Sequence, residues 1–224
     1  MRALIGVTCP TQVDLNGTTN YTYCRMIQDV GAVPLVCSLP SEVEQVEPIL
    51  GALDALVLTD EACQTRADDA LARQFLLAAL ERDVPILAVD SGCRLLNEVL
   101  GGRASEPSGR LTAHEQGALP GHMPCHTLRL DPWSCLATCI GDSRLEANSF
   151  HRLIITQPGR GLVPVAWSDD GTIEAVESKA HTFVMGVQFR PHLMATCGPR
   201  IFKAFRRSAE TYRQRKRQKR QLAD

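Results

Sequence analysis

The chain has 224 residues, 44% of them hydrophobic and only 5% aromatic, and a formal net charge of −1. That length suits one domain with a core built mainly from Leu, Val, Ile and Ala. No apolar run is long enough to span a bilayer, which argues against a membrane protein. The N-terminus enters a strand at once, without the basic flank and apolar run of a secretory signal. The nine cysteines are scattered, with no C-x-x-C pair. That usage predicts a reducing, cytoplasmic setting in which cysteine packs as a small apolar residue.

Taken in order, residues 3–7 read as a first strand. Residues 21–30 follow with helical spacing, closed by Gly31, and 33–37 as a second strand. Ser41-x-x-Glu44 has the form of a capping box opening a helix that runs to about residue 50. Residues 55–58 form a third strand. Residues 68–81 form a long helix whose buried face carries Leu71, Phe75, Leu76, Ala79 and Leu80. Residues 103–126 dissolve into Gly, Pro, Ser and His and read as a loop over a site. A strand at 126–130 and a short helical turn at 133–140 come next. A hairpin turning at Asp169-Asp170-Gly171 follows, then a core strand at 184–189 and a last helix from about 196. The alternation predicts an α/β fold, a mostly parallel sheet with helices on both faces. Ligands in such sheets bind at the carboxyl ends of the strands, where Thr59, Asp60 and Asp90 fall.

The most informative stretch is Pro85-Ile-Leu-Ala-Val-Asp-Ser-Gly-Cys-Arg-Leu-Leu-Asn-Glu-Val-Leu-Gly-Gly102. A buried strand passes almost without a loop into an amphipathic helix, so Asp90, Ser91 and Gly92 form a tight elbow. An elbow of this kind exposes one side chain beside a positive helix N-terminus. The stretch resembles the elbow of class I glutamine amidotransferase-like proteins with a flavodoxin-like core. The nearest form is the gamma-glutamyl hydrolase branch, which includes the gamma-glutamyl-gamma-aminobutyrate hydrolases. That branch reads Pro-Ile-Leu-Gly-Ile-Cys-Arg-Gly-x-Gln-Leu-Leu-Asn and closes on Gly-Gly. Pro85, Ile86, Leu87, Gly92, Leu95, Leu96, Asn97, Gly101 and Gly102 match it. The resemblance covers about residues 3 to 205 and implies one domain over 1–205 with a basic tail at 206–224.

What the resemblance implies for chemistry is where the chain departs from it. The family attacks a gamma-glutamyl amide with a cysteine thiolate, assisted by a histidine base and an orienting carboxylate. The cysteine slot holds Asp90. The family's Gly-Val-Gln-Trp-His-Pro-Glu reads Gly186-Val-Gln-Phe-Arg-Pro-His192 here, so Arg190 and His192 take the histidine and carboxylate slots. Arginine stays protonated and is no base. The two readings of this set are an Asp90–Arg190 ion pair filling the old site, and a rebuilt site using Asp90 or Cys93 with His192. The family's Leu-Pro-Gly-Gly oxyanion loop reads Leu58-Thr-Asp-Glu61, which adds acid where a developing oxyanion needs N–H donors.

Other family features persist. Asn148-Ser-Phe-His151 matches the Asn-Ser-x-His motif beside the substrate site, although the family's next glutamine is Leu153. The resemblance therefore implies an ancestral cleft lined by Thr59, Asp60, Glu61, Ser91, Cys93, Asn148 and His151. Cys93 has two readings, an inert packing cysteine or a thiol activated by the helix N-terminus and Arg94. His114, His122, Cys125 and His126 match no zinc-ligand spacing, so no metal is expected from them, and no cofactor motif is present. Cys135 and Cys139 lie one helical turn apart, as packing residues do.

The charge is unevenly spread. Residues 203–224 hold nine Lys or Arg against two Asp or Glu, leaving fifteen against twenty-three in the rest. This tail reads as a solvated helix extension or disordered end, or as an electrostatic contact with nucleic acid or an acidic partner, including another copy. Without interleaved aromatics, nucleic acid is the weaker option. The expectation is a protein that has lost amide hydrolysis and binds a small gamma-glutamyl or amino-acid-like ligand, a protein partner or itself. The alternatives are an active gamma-glutamyl amide hydrolase with a rewired site and a non-catalytic subunit of a larger enzyme.

Overall fold

The computed structural model describes residues 2–9, 18–60, 70–106, 114, 116–117 and 119–222. Its strands are β1 (Leu4–Cys9), β2 (Val33–Ser38), β3 (Ala55–Leu58), β4 (Ile86–Val89), β5 (Arg103–Ser105), β6 (His126–Leu130), β7 (Arg144–Ala147), β8 (Ile154–Gln157), β9 (Leu162–Ser168), β10 (Ile173–Ser178) and β11 (Val184–Val187). Its helices are α1 (Thr18–Asp29), α2 (Val46–Ala52), α3 (Ala70–Glu81), α4 (Ser91–Val99), α5 (Cys135–Ile140) and α6 (Gly198–Gln221). The sheet runs β2-β1-β3-β4-β11-β10-β9-β6-β7, with β5 and β8 attached beside β10. The β2 to β11 half is parallel, and every pairing from β10 outward is antiparallel.

The period of two along each strand divides the core. Ala55, Val57, Leu87 and Val89 face one cluster, beneath α1, α5 and α6. Leu56, Leu58, Ile86 and Ala88 face the other, beneath α2, α3 and α4. The parallel strands are thus buried on both faces, as their unbroken apolar runs require.

The sequence misplaces several elements. Residues 103–126 are not all loop: β5 pairs antiparallel with β8. Strands β7 and β8 are short and polar and carry little pattern. At the predicted capping box it is Gln45, not Glu44, that reaches back, accepting from the Ser41 N–H at 2.9 Å. A 3-10 turn over Val43–Gln45 precedes α2. On α3 Leu71 packs half-buried against the core beside Phe75, Leu76, Ala79 and Leu80, Ala72 joins them, and residue 68 lies outside the described residues. Among the described residues no helix is long and apolar enough to cross a membrane.

The basic tail is a continuation of α6, which passes residue 205 without a break and buries Phe205 and Ala209. Two of its cations dock on the chain's own acids. Arg215 meets Asp83 at 3.0 Å, and Lys216 meets Asp54 at 3.0 Å while donating to the Leu53 carbonyl at 2.8 Å.

The elbow depends on close approach. A Cβ added to Gly92 would stand 2.3 Å from the Leu58 carbonyl oxygen. In an open helix Gly→Ala gains about 0.5–1 kcal/mol. Here the backbone carbonyl cannot yield, so Gly92→Ala is expected to lose more than about 2 kcal/mol in urea unfolding. Gly51 in α2 has no neighbouring atom within 4 Å of an added Cβ, and Gly51→Ala is the control that should gain stability.

Candidate functional site

The end of β4 turns into α4 through Asp90, whose backbone sits at φ 52°, ψ −114°. A non-glycine residue there is strained and is held by its surroundings. Its N–H donates to the Val187 carbonyl at 2.8 Å, and its carbonyl accepts from the Arg94 N–H at 3.1 Å. The Asp90 side chain makes no capping bond to its own helix. It turns instead to Arg190, which follows β11 in the adjacent chain crossing.

Arg190 is held between two carboxylates. Its Nη2 stands 2.7 Å from Asp90 Oδ2, its Nε donates to the same oxygen at 2.9 Å, and its Nη1 stands 3.0 Å from Asp60 Oδ2. Tyr23 Oη donates to the other Asp60 oxygen at 3.0 Å. The guanidinium lies 4.6 Å over the Phe150 ring. Asn148 fixes the arginine backbone, accepting from the Arg190 N–H at 2.8 Å and donating to the Arg190 and Gly121 carbonyls. The side chains of Asp60 and Asp90 are 6% and 10% exposed and that of Arg190 is 26% exposed. Burial and the neighbouring Asp90 hold the Asp60 carboxyl above its ordinary value, against the pull of Arg190. Burial pulls the Arg190 guanidinium down, but the two carboxylates outweigh it and leave it raised. A cation locked by two acids offers neither a nucleophile nor a proton acceptor.

The other residues expected here have different duties. His192 is buried two residues further on, its ring 3.8 Å from that of Tyr23. Burial, with Arg190 nearby, pushes it down to about 3. The thiol of Cys93 is no cleft group. It is fully buried in the core beneath the sheet, where a Cβ on Gly186 would meet its Sγ. Burial, then Asp90 and Glu174, pushes it far up, the opposite of the activation read from the helix N-terminus. Arg94 pairs with Glu98 at 2.9 Å. Thr59 is fully buried and donates to the Thr8 carbonyl at 2.9 Å, and Ser91 Oγ donates to the Asp60 carbonyl. Glu61 lies outside the described residues.

His151 points away from the clamp into a second polar cluster with His114, His126 and Glu174. Its Nε2 is 3.1 Å from Glu174 Oε1. Gln116, in the stretch read as a loop over a site, is held nearby. It donates to the Pro120 and Met123 carbonyls and accepts from the Ser149 N–H. The sequence did not single out Tyr23, Phe150 or Glu174. The one available signal was Glu174 itself, an acid within the hairpin's apolar run.

The chain is similar to known proteins in sequence and in fold. The family model for peptidase C26 matches residues 59–192. The glutamine amidotransferase-like protein YvdE of Lactococcus lactis is 29% identical over 192 residues, 77% of this chain and 80% of that protein. The gamma-glutamyl-gamma-aminobutyrate hydrolase PuuD of Escherichia coli is 28% identical over 200 residues, 78% of each. Among solved structures, the glutaminase domain of Trypanosoma brucei CTPS superposes with a TM-score of 0.69 at 12% identity, over 93% of this chain and 94% of that one.

Proposed function

This chain belongs to the peptidase C26 family, and from that premise we propose that it has given up amide hydrolysis and works as a binding protein through the remodelled cleft. One observation carries the reading: at the elbow, Asp90 and Asp60 hold Arg190 at 2.7 and 3.0 Å. In the family's scheme those positions need a thiol, an imidazole and N–H donors. A permanent cation cannot accept the nucleophile's proton, and Asp60 repels the charge that an oxyanion develops. The fitting occupant is a small gamma-glutamyl or amino-acid-like molecule, whose carboxylate and ammonium groups match a cation flanked by acids.

A second reading is a non-catalytic subunit or a self-associating chain. It draws on β2, the sheet's terminal strand, where Val33, Leu35 and Val36 are exposed and Tyr21 of α1 is also exposed. An uncovered apolar edge is a pairing surface. The free cysteines, buried Cys93 and Cys197 among them, fit a reducing cytoplasm.

The test is glutamate release by the purified full chain from glutamine and gamma-glutamyl amides. No release above background is expected, with Cys93→Ala indistinguishable from wild type. Release that disappears on Asp90→Ala overturns the reading in favour of a rewired hydrolase.

A further inference from the structure

On the antiparallel side of the sheet, a group of side chains converges that the clamp does not use. His114, His126 and Glu174 bring donor atoms to within 4.8 Å of one another. Two of the four residues considered for a metal from the sequence, His114 and His126, are in this group, whereas His122 and Cys125 are not. Glu174 comes from β10 and His151 from the loop after β7, so sequence spacing could not reveal them.

We propose that this cluster binds one divalent transition cation of the zinc class through a ring nitrogen of His114, a ring nitrogen of His126 and the carboxylate of Glu174. Two imidazoles and a carboxylate are the donor set that borderline cations of this kind take. Glu174 is fully buried, and its Oε2 has no hydrogen-bond partner. Both ring nitrogens of His126 are shielded and without a partner. Buried polar groups left in that state are costly, and one cation takes up the Glu174 carboxylate and one of the two His126 nitrogens.

The surrounding bonds point the same way. His114 Nε2 is 3.0 Å from Asp170 Oδ2, while its Nδ1 stands 3.0 Å from Glu174 Oε1, off the line a hydrogen bond requires. A neutral imidazole has one proton and cannot satisfy two carboxylates. His151 meets the same difficulty, with Nδ1 3.1 Å from the Leu153 carbonyl and Nε2 3.1 Å from Glu174. Asp170 is itself fixed, accepting from Ser168 Oγ at 2.6 Å and the Thr172 N–H at 3.0 Å. A carboxylate that orients a histidine from its far nitrogen is the usual support of a metal ligand. The bound cation would tie the segment carrying His114 to β6 and β10. That segment is bonded to Ser149, in the same loop as Phe150 beneath Arg190.

The test uses the full chain, stripped with a chelator and titrated with zinc by calorimetry and with cobalt by visible absorption. One equivalent of zinc and a raised Tm are expected, with cobalt bands lacking sulfur charge transfer. His126→Ala should abolish binding with the fold intact, since His126 makes no side-chain hydrogen bond. Glu174→Gln should do the same, and if it fails to fold, His126→Ala carries the test. Asp170→Asn should weaken binding about 10- to 100-fold. Three outcomes overturn the proposal. Wild type shows no saturable binding; or the cobalt spectrum shows thiolate ligation that survives His126→Ala; or the stripped protein, unmoved by zinc, shows His114 and His151 as a protonated pair by NMR.

Discussion

Arg190→Met should cost the fold about 3 kcal/mol at neutral pH, the low end of what removing one partner of a buried ion pair costs. The low end is chosen because the arginine side chain is 26% exposed and water relieves part of the loss. Methionine keeps an unbranched stem of similar length, so what disappears is the guanidinium, with its ion pairs and its place over Phe150. Asp60 and Asp90 are then left facing each other, nearly buried, with no cation between them. Asp60 already sits above the ordinary carboxylate range because burial and Asp90 outweigh Arg190. Without Arg190 it rises further. A carboxyl whose folded value exceeds its unfolded one binds more protons in the folded state, so stability falls as the pH rises through that range. The variant should therefore be weakest at neutral pH and recover as the pH drops towards the carboxylate range. Urea unfolding at neutral and mildly acidic pH measures this. Adding Asp60→Asn and Asp90→Asn should restore most of the loss at neutral pH. A loss below about 1 kcal/mol that ignores pH would mean that the three charges are solvated and independent.

How far the sequence could be read follows from which interactions are local. The elbow is legible because its parts are consecutive: an apolar strand, Asp90 at the bend, Gly92 where nothing larger fits, and Gly101 at φ 83° past the helix end. The positions of Asp90 and Arg190 were readable too, since each lies in a motif whose neighbours match a known pattern. That Asp60 borders the same site was readable from its place at the end of β3, but its bonds to Arg190 and Tyr23 were not, because they need α1 laid across β3 and β4. Of the two readings of Cys93, the structure bears out the inert packing cysteine, and the sequence left them open for a related reason. Helix position gives the electrostatic sign, but only packing reveals that the thiol points under the sheet against Gly186. The strands β5, β7 and β8 are short and half polar, and their pairing partners are remote. Local pattern cannot anticipate them.

Restoring the family's three side chains should not restore its chemistry. In a variant with Asp90→Cys, Arg190→His and His192→Glu, glutamate release is expected to fall at least about 10²-fold short of the E. coli hydrolase assayed alongside, because one missing oxyanion donor alone costs that much. Asp60 remains, in the same pocket as the new thiol. A carboxylate there favours the protonated thiol and so opposes activation. By the family's scheme Asp60 also belongs to the loop that would have to supply the oxyanion's donors. The new glutamate at position 192 would inherit a buried site under the Tyr23 ring, where burial favours the neutral acid over the carboxylate that orients a histidine. Adding Asp60→Gly and Glu61→Gly should raise the rate over the three-residue variant, because it removes the repelling charge and frees the backbone to approach. Thiol titration checks the first step of the argument, and steady-state glutamate release checks the second. If the three-residue variant already works within about tenfold of the natural hydrolase, the acidic loop after β3 is no barrier and the side chains of the triad are all that was lost.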